Sequence, residues 1–126
     1  IDGNKKFLLG QQTAQAEFLI DGKGQDWLVE GYATALSLKA ALGAIKARFR
    51  IHVAFSAGNM KKLAVAYPTA LVLADNDASG AGQRVAEETG CKWFMPPTVG
   101  QDFNDLHLEI GLFKASQMLR RFIQSA

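Results

Sequence analysis

Cysteine and long apolar runs are nearly absent from this sequence. Cys91 is the only cysteine, so the chain by itself can form neither an internal disulfide nor a multi-cysteine zinc site. No apolar run approaches the roughly 20 residues that a membrane helix needs, and no charged-then-apolar leader precedes the first strand-like segment. These absences predict a soluble, cytoplasmic protein without a membrane partner.

A long stretch of the chain lacks acidic residues. Residues 31–74 contain no Asp or Glu but carry Lys39, Lys46, Arg48, Arg50, Lys61 and Lys62. Residues 75–109 reverse the balance with Asp75, Asp77, Glu87, Glu88, Asp102, Asp105 and Glu109. The segregation favours a basic surface beside an acidic pocket, although two solvated helix faces of opposite sign would give the same pattern.

Short apolar runs alternate with helical patterns along the 126 residues. Strands are predicted at 5–9, 16–21, 26–30, 51–57, 69–74 and 91–95, and helices at 33–47, 59–67, 79–89 and 111–125. The first two strands are predicted to form a β-hairpin extension in residues 1–24. Residues 25–126 are predicted to form one α/β domain, a parallel four-stranded sheet flanked by helices. Because the sequence opens on Ile1 rather than Met, we expect a fragment of a longer chain.

Acidic residues follow two strands of the predicted sheet. Glu30 closes the first parallel strand, and Asp75 and Asp77 close the third, in the string LVLADNDASG. If the chain stays extended through Asn76, both aspartates point the same way and can bind one cation. Magnesium is usually held by one or two carboxylates plus substrate phosphates, and ligands bind at this edge of such sheets. Solvated turn residues would give the same DxD spacing.

The helix after Asp77 adds a candidate phosphate site. Ser79 and two glycines open it, and the free amides at a helix start favour an anion. Arg84 on this helix lies within reach of a nucleotide phosphate, although an exposed helical arginine is the commoner case. Lys61 and Lys62 follow a Gly-Asn turn, where they either meet a triphosphate or template backbone or form an exposed helix face.

Three strings together resemble the motifs of Toprim domains. LVEGYATALS is similar to the glutamate motif, LVLADNDASGAGQ to the DxD motif, and GQDFNDLH to the late acidic motif of Toprim primases. VAFSAGNMKKLA and the opening KKFLLG and AEFLIDG resemble segments of plasmid- and phage-type DNA primases. The resemblance covers nearly the whole chain, is strongest from Trp27 to Leu106, and implies a Toprim, Rossmann-like fold.

The resemblance also implies roles and partners. Glu30, Asp75 and Asp77 would be catalytic and, with Asp102, would bind Mg²⁺ or Mn²⁺; Glu30 would act as a ligand or as a general base. Asp105 would be a further ligand or would cap the following helix through Asn104. The activity would be synthesis of RNA primers on a single-stranded DNA template from ribonucleoside triphosphates, with a replicative helicase domain in cis or in trans. The nucleotide and DNA contacts would be Lys61, Lys62, Ser79, Arg84 and Asp105.

Other functions fit parts of the pattern. A Toprim nuclease or topoisomerase would use the same acidic set, but a topoisomerase needs a tyrosine nucleophile, and neither Tyr32 nor Tyr67 has a suitable context. A phosphatase of the haloacid dehalogenase type fits poorly, because its DxD usually follows the first strand. A non-catalytic Toprim module that binds DNA would have no need of the acidic set.

The remaining conspicuous side chains are predicted to be structural or, for the two histidines, structural or surface residues. His52 and His107 have no partner at the spacing of metal ligands. Four aromatic residues lie in or beside predicted strands and are expected in the core rather than as platforms for base stacking. These are Trp27, Trp93, Phe55 and Phe94.

Overall fold

A computed structural model describes residues 18–20 and 22–125 of the chain. The strands in this part are β1 Phe18–Ile20, β2 Gln25–Val29, β3 Phe49–Val53, β4 Leu71–Leu73 and β5 Lys92–Phe94. The helices are α1 Tyr32–Ala44, α2 Ala57–Ala66, α3 Ala81–Thr89 and α4 Phe103–Gln124. The strand predicted at 5–9 lies outside the described residues.

One sheet contains these strands in the order β1-β3-β2-β4-β5. Strands β3, β2, β4 and β5 are parallel, and β1 pairs antiparallel with β3 at one edge. The predicted α/β fold with a four-stranded parallel sheet is confirmed. Strand β1 is the second strand of the predicted hairpin, and the boundary between residues 24 and 25 stays a prediction.

Helices cover both faces of the sheet, each over its own apolar core. Trp27 and Val29 face α1 and α4, whereas Leu28 between them faces α2 and α3. This alternation follows from the two-residue period of a strand. Strand β4 is buried on both faces, as its continuous apolar run predicted, and each such buried Leu or Val stabilises the fold by roughly 1.5–3 kcal/mol.

Some element boundaries differ from the prediction. The strand predicted at 51–57 ends at Val53, because Ser56 caps α2 by accepting a hydrogen bond from the Asn59 N–H at 3.1 Å. Helix α3 begins at Ala81 rather than at residue 79. Helix α4 contains a kink at Gly111, where φ is 88°, and the predicted closing helix therefore forms its second segment.

The expectation that Phe55 lies in the core is wrong. Its side chain is 56% exposed, and its backbone is left-handed with φ 67°. Trp27 is buried as expected, and Trp93 and Phe94 pack partly buried against the two cores. His52 is also buried and contacts a neighbouring aspartate.

The chain reverses direction across the sheet between β2 and β4. Helix α1 leads from β2 to its neighbour β3, and α2 then returns past β2 to β4. Such a switch point opens a crevice at the carboxyl ends of the two strands, where ligands of α/β sheets bind. Glu30 follows β2 and Asp75 follows β4 at this crevice. Among the described residues, no helix is long and apolar enough to cross a membrane.

Candidate metal centre

Five predicted acidic residues lie at the carboxyl edge of the sheet. Asp75, Asp77, Asp102 and Asp105 line an open cleft of about 200 Å³. Glu30 does not line this cleft; it borders a much smaller cavity that also touches Asp75, under α2 and α3. The structure therefore brings four carboxyl groups to one cleft and places Glu30 on its flank.

Hydrogen bonds on both sides fix the backbone at Asp75. The Ala74 N–H donates to the Phe94 carbonyl at 2.8 Å, and the Asn76 N–H donates to the Gln101 carbonyl at 2.9 Å. Gly82 in α3 approaches so closely that a Cβ there would overlap the Asp75 carbonyl oxygen. Because only glycine lacks a Cβ, this residue allows α3 to begin directly against the end of β4.

The carboxyl group of Asp75 is in an unfavourable electrostatic environment. Burial raises its pKa first, and the neighbouring charges of Asp102, Glu30, Asp77 and Asp105 raise it further, to about 6. Both causes disfavour the ionised form. A cation bound at this position would remove the repulsion, so the cleft is suited to positive charge.

The carboxylate of Asp77 binds the start of α3. Its Oδ1 accepts hydrogen bonds from the Ser79 hydroxyl at 3.0 Å and from the Ala81 N–H at 2.9 Å, while Oδ2 accepts from the Gly82 N–H at 3.3 Å. These bonds, with that of Ser79 the strongest, lower the pKa of Asp77. The amides predicted to bind a phosphate thus already bind a carboxylate.

Asp102 and Asp105 cap the start of α4. The Asp102 carboxylate accepts from the Asp105 N–H at 2.8 Å, and the Asp105 carboxylate accepts from the Asp102 N–H at 3.1 Å. This reciprocal capping box satisfies two backbone donors at the helix start. Asp105 caps through its own carboxylate, and Asn104 instead accepts a hydrogen bond from Ser37 at 2.9 Å.

Gln101 is a residue of the cleft that sequence reasoning missed. Its Nε2 donates to Glu109 Oε1 at 2.7 Å, which fixes the orientation of the amide. Its Oε1 is buried and has no hydrogen-bond donor among the described residues. Buried acceptors normally have a partner, so this oxygen is available to a bound water or cation. The sequence offers no signal for it, because the orientation depends on burial and on a residue eight positions away.

The donor groups of the cleft suit a Mg²⁺ ion that keeps several water ligands better than an ion that is coordinated by protein groups alone. Within residues 18–20 and 22–125, no three His, Cys, Asp or Glu side chains stand close enough together to share one metal ion. Magnesium keeps several waters and needs only one or two carboxylates besides substrate phosphates. Asp75 supplies an uncompensated carboxylate, and the open acceptor of Gln101 can receive a hydrogen bond from a metal-bound water.

The predicted cationic residues lie on α2 and α3, outside the cleft. Lys61 forms an ion pair with Glu88 at 2.8 Å, whereas Lys62 is exposed. The guanidinium of Arg84 lies near Gly80 at the start of α3, and its charge helps to lower the pKa of Glu88, after the larger effect of Lys61. None of these three side chains lines the cleft.

Comparison with known proteins identifies the fold family. A family model described as Toprim domain matches residues 26–112, more than half of the chain. No solved structure matches the chain. Toprim domains are typically found in primases, topoisomerases and nucleases, and they generally bind Mg²⁺. Taken with the parallel sheet and the carboxylates at its switch point, this match shows that the chain belongs to the Toprim domain family.

Proposed function

We propose that this domain catalyses Mg²⁺-dependent nucleotidyl transfer and synthesises RNA primers on single-stranded DNA. One observation carries the proposal: Asp75 is a partly buried carboxyl group faced by other carboxyl groups at the switch point of the sheet. A structural carboxylate normally has a cationic or hydrogen-bonding partner. A carboxylate cluster without a counter-charge suits a site that is completed by a divalent cation and a phosphate substrate.

The positions of the acidic residues support separate roles. Asp75 would hold the cation, with Asp77 or Asp102 as a second carboxylate from the same cleft. A bound Mg²⁺ would offset the negative charge that develops on the phosphate oxygens during transfer. Glu30 lies on the flank of the cleft, where it would accept the proton of the attacking 3′-hydroxyl as pyrophosphate leaves. This position supports the general-base role in the proposal.

Exposed cationic side chains on the face of the sheet that α1 and α4 cover support a nucleic-acid partner. Helices α1 and α4 share this face, and the cations on or next to them form no ion pair with another described residue. Unpaired Lys and Arg residues attract the phosphate backbone without reading its sequence. The six cations are Lys39, Lys46, Arg48, Lys114, Arg120 and Arg121, all exposed.

Similarity of the motifs favours polymerisation over strand cleavage. The acidic cleft serves either reaction, because both move a phosphoryl group between oxygen atoms. The string VAFSAGNMKKLA resembles a segment of plasmid- and phage-type primases, and GQDFNDLH resembles the late acidic motif of Toprim primases. A topoisomerase would need a tyrosine nucleophile, and Tyr67 packs against the buried ring of His52 at 4.3 Å between centroids, within the fold.

Primer synthesis can be tested together with metal binding. The chain is incubated with Mg²⁺ or Mn²⁺, single-stranded DNA and labelled ribonucleotides, and its products are separated by length. We expect labelled primers from the native chain and none from Asp75→Asn or Glu30→Gln. Because Glu30 acts as the base, Glu30→Gln retains metal affinity, whereas Asp75→Asn loses it together with activity.

The exposed Glu87, on α3 and outside the cleft, provides the matched control. Glu87→Gln removes one acidic charge and should leave both primer synthesis and metal binding unchanged. Shortening of the DNA without labelled primers would replace the proposal by strand cleavage. DNA binding without either product, and without any effect of Asp75→Asn, would indicate a non-catalytic module.

A further inference from the structure

Phe55 is an exposed aromatic residue at the carboxyl edge of the sheet. It follows β3, and its side chain is 56% exposed although the surrounding strand ends are buried. Its φ of 67° lies in the left-handed region, which a bulky residue rarely adopts. Such a conformation persists only where the surrounding structure imposes it, and it occurs preferentially at functional sites.

Three hydrogen bonds impose this conformation. The Phe55 N–H donates to the Glu30 carbonyl at 2.9 Å, and the Ala54 N–H donates to the Val29 carbonyl at 2.8 Å. The Asn59 side chain donates to the Ala54 carbonyl at 3.2 Å. The ring is therefore presented to solvent by a fixed backbone that is bonded directly to the residue proposed as the general base.

The surroundings of Phe55 match one kind of ligand. β3 is separated from β4 by β2 alone. At the usual strand spacing, the ends of β3 and β4, which lead to Phe55 and Asp75, therefore lie about 10 Å apart. The segment that follows Phe55 carries polar side chains at Ser56, Asn59, Lys61 and Lys62. We infer that Phe55 is a stacking platform for a nucleobase whose phosphate points to the Asp75 cleft. The inference rests on the proposed function and adds a base-binding position to it.

Stacking can be measured with ligands that do or do not carry bases. Fluorescence anisotropy with Mn²⁺ present compares a labelled oligothymidylate, an abasic oligonucleotide of the same length, and a fluorescent ATP analogue. For Phe55→Ala we expect the Kd of a base-containing ligand to rise roughly 5- to 150-fold, the effect of losing one stack worth ~1–3 kcal/mol. Phe55→Tyr retains the stack and the affinity. The abasic oligonucleotide binds the native chain and Phe55→Ala equally.

Two further variants separate stacking from a structural role. Phe55→Asn removes the ring and places a residue that tolerates the left-handed region, so stability toward urea stays constant or rises while affinity falls as in Phe55→Ala. Phe113→Ala removes a ring that is 74% exposed on α4 and should leave the affinity unchanged. A loss of stability in Phe55→Asn would assign the residue a structural role and overturn the inference.

Comparison of the oligothymidylate with the ATP analogue identifies whether the stacked base belongs to the template or to the incoming nucleotide. Weaker oligothymidylate binding indicates a template base, and weaker ATP-analogue binding indicates the incoming nucleotide; either supports the platform. If the ligands bind with dependence on Asp75 but without any effect of Phe55→Ala, the platform is refuted and the proposed function stands. If the native chain binds neither ligand, both fail.

Discussion

Asp26 lies in β2 and Asp75 lies just beyond the neighbouring β4, and the two carboxyl groups differ in the charges that face them. Burial alone would raise the pKa of Asp26, but hydrogen bonds from Arg50 and His52 outweigh it and lower that pKa. The Arg50 Nε lies 2.7 Å from Asp26 Oδ1, and the His52 Nε2 lies 2.9 Å from the same atom. Asp75 is faced by carboxyl groups instead, and its pKa rises to about 6.

The comparison separates a structural carboxylate from a functional one. Both groups are partly removed from water, so burial cannot be the distinction. The sign of the neighbouring charges decides which form is stable. At Asp26 the protein supplies the cations, whereas at Asp75 we propose that a cation from solution does so.

Removal of the Asp26 charge should destabilise the fold. In Asp26→Asn the buried His52 and the partly exposed Arg50 lose a charged hydrogen-bond acceptor, and we expect the free energy of unfolding to fall by about 2–3 kcal/mol. Urea denaturation at pH 7 measures the change. A loss below about 0.5 kcal/mol, the range of ordinary surface substitutions, would show that this cluster is not structural.

Removal of the Asp75 charge should instead increase the free energy of unfolding. In metal-free buffer at pH 7, Asp75→Asn relieves carboxylate repulsion, and we expect a gain of about 1–2 kcal/mol after allowance for solvent screening. Because the folded pKa of about 6 lies above the ordinary 3.8, the folded state binds the proton more tightly, and native stability from this group falls as pH rises from about 4 to 6. The difference between variant and native should therefore vanish near pH 3 and be complete above pH 7.

Divalent cations should replace the missing counter-charge at Asp75. At Mg²⁺ or Mn²⁺ concentrations ten times the Kd, binding to the folded state stabilises it by about 1.4 kcal/mol. Thermal denaturation with and without the cation should show the gain in the native chain and not in Asp75→Asn. An equal gain in both proteins would mean that the cation binds elsewhere.

Lys61 and Lys62 should differ in their effect on DNA binding. Lys61 is paired with Glu88, whereas Lys62 has no ion pair among the described residues. We expect Lys62→Gln to reduce the slope of log Kd against log salt concentration by about one and Lys61→Gln to reduce it by less. Equal slopes for both variants and the native chain would remove these lysines from the DNA contact.

The fold could be predicted because its signals are local. The continuous apolar run at Leu71–Leu73 and the helical spacing of α1 depend on residues close in sequence. The same logic placed Glu30 and Asp75 at strand ends on one edge. It also predicted that Asp75 and Asp77 converge if the chain stays extended, but it did not predict that the Ala81 and Gly82 amides bind the Asp77 carboxylate.

The rest of the site depends on tertiary contacts that no local pattern records. The exposure of Phe55 follows from a turn held by the Glu30 carbonyl, twenty-five residues earlier. The Gln101 Oε1 has no hydrogen-bond donor among the described residues because it is buried and because the bond from Nε2 to Glu109 fixes the amide. The local patterns therefore predict the edge of the sheet that carries the candidate site, but not the orientation of each side chain.

The most direct test of the account is Mn²⁺ binding measured by electron paramagnetic resonance, in which the signal of free Mn²⁺ falls as the ion binds. The native chain, Glu30→Gln and Glu87→Gln are predicted to bind Mn²⁺ with similar affinity, and Asp75→Asn is predicted to lose this binding. Equal affinity in Asp75→Asn, or no binding by the native chain even with nucleotide and DNA present, would contradict the assignment of this cleft as the metal centre.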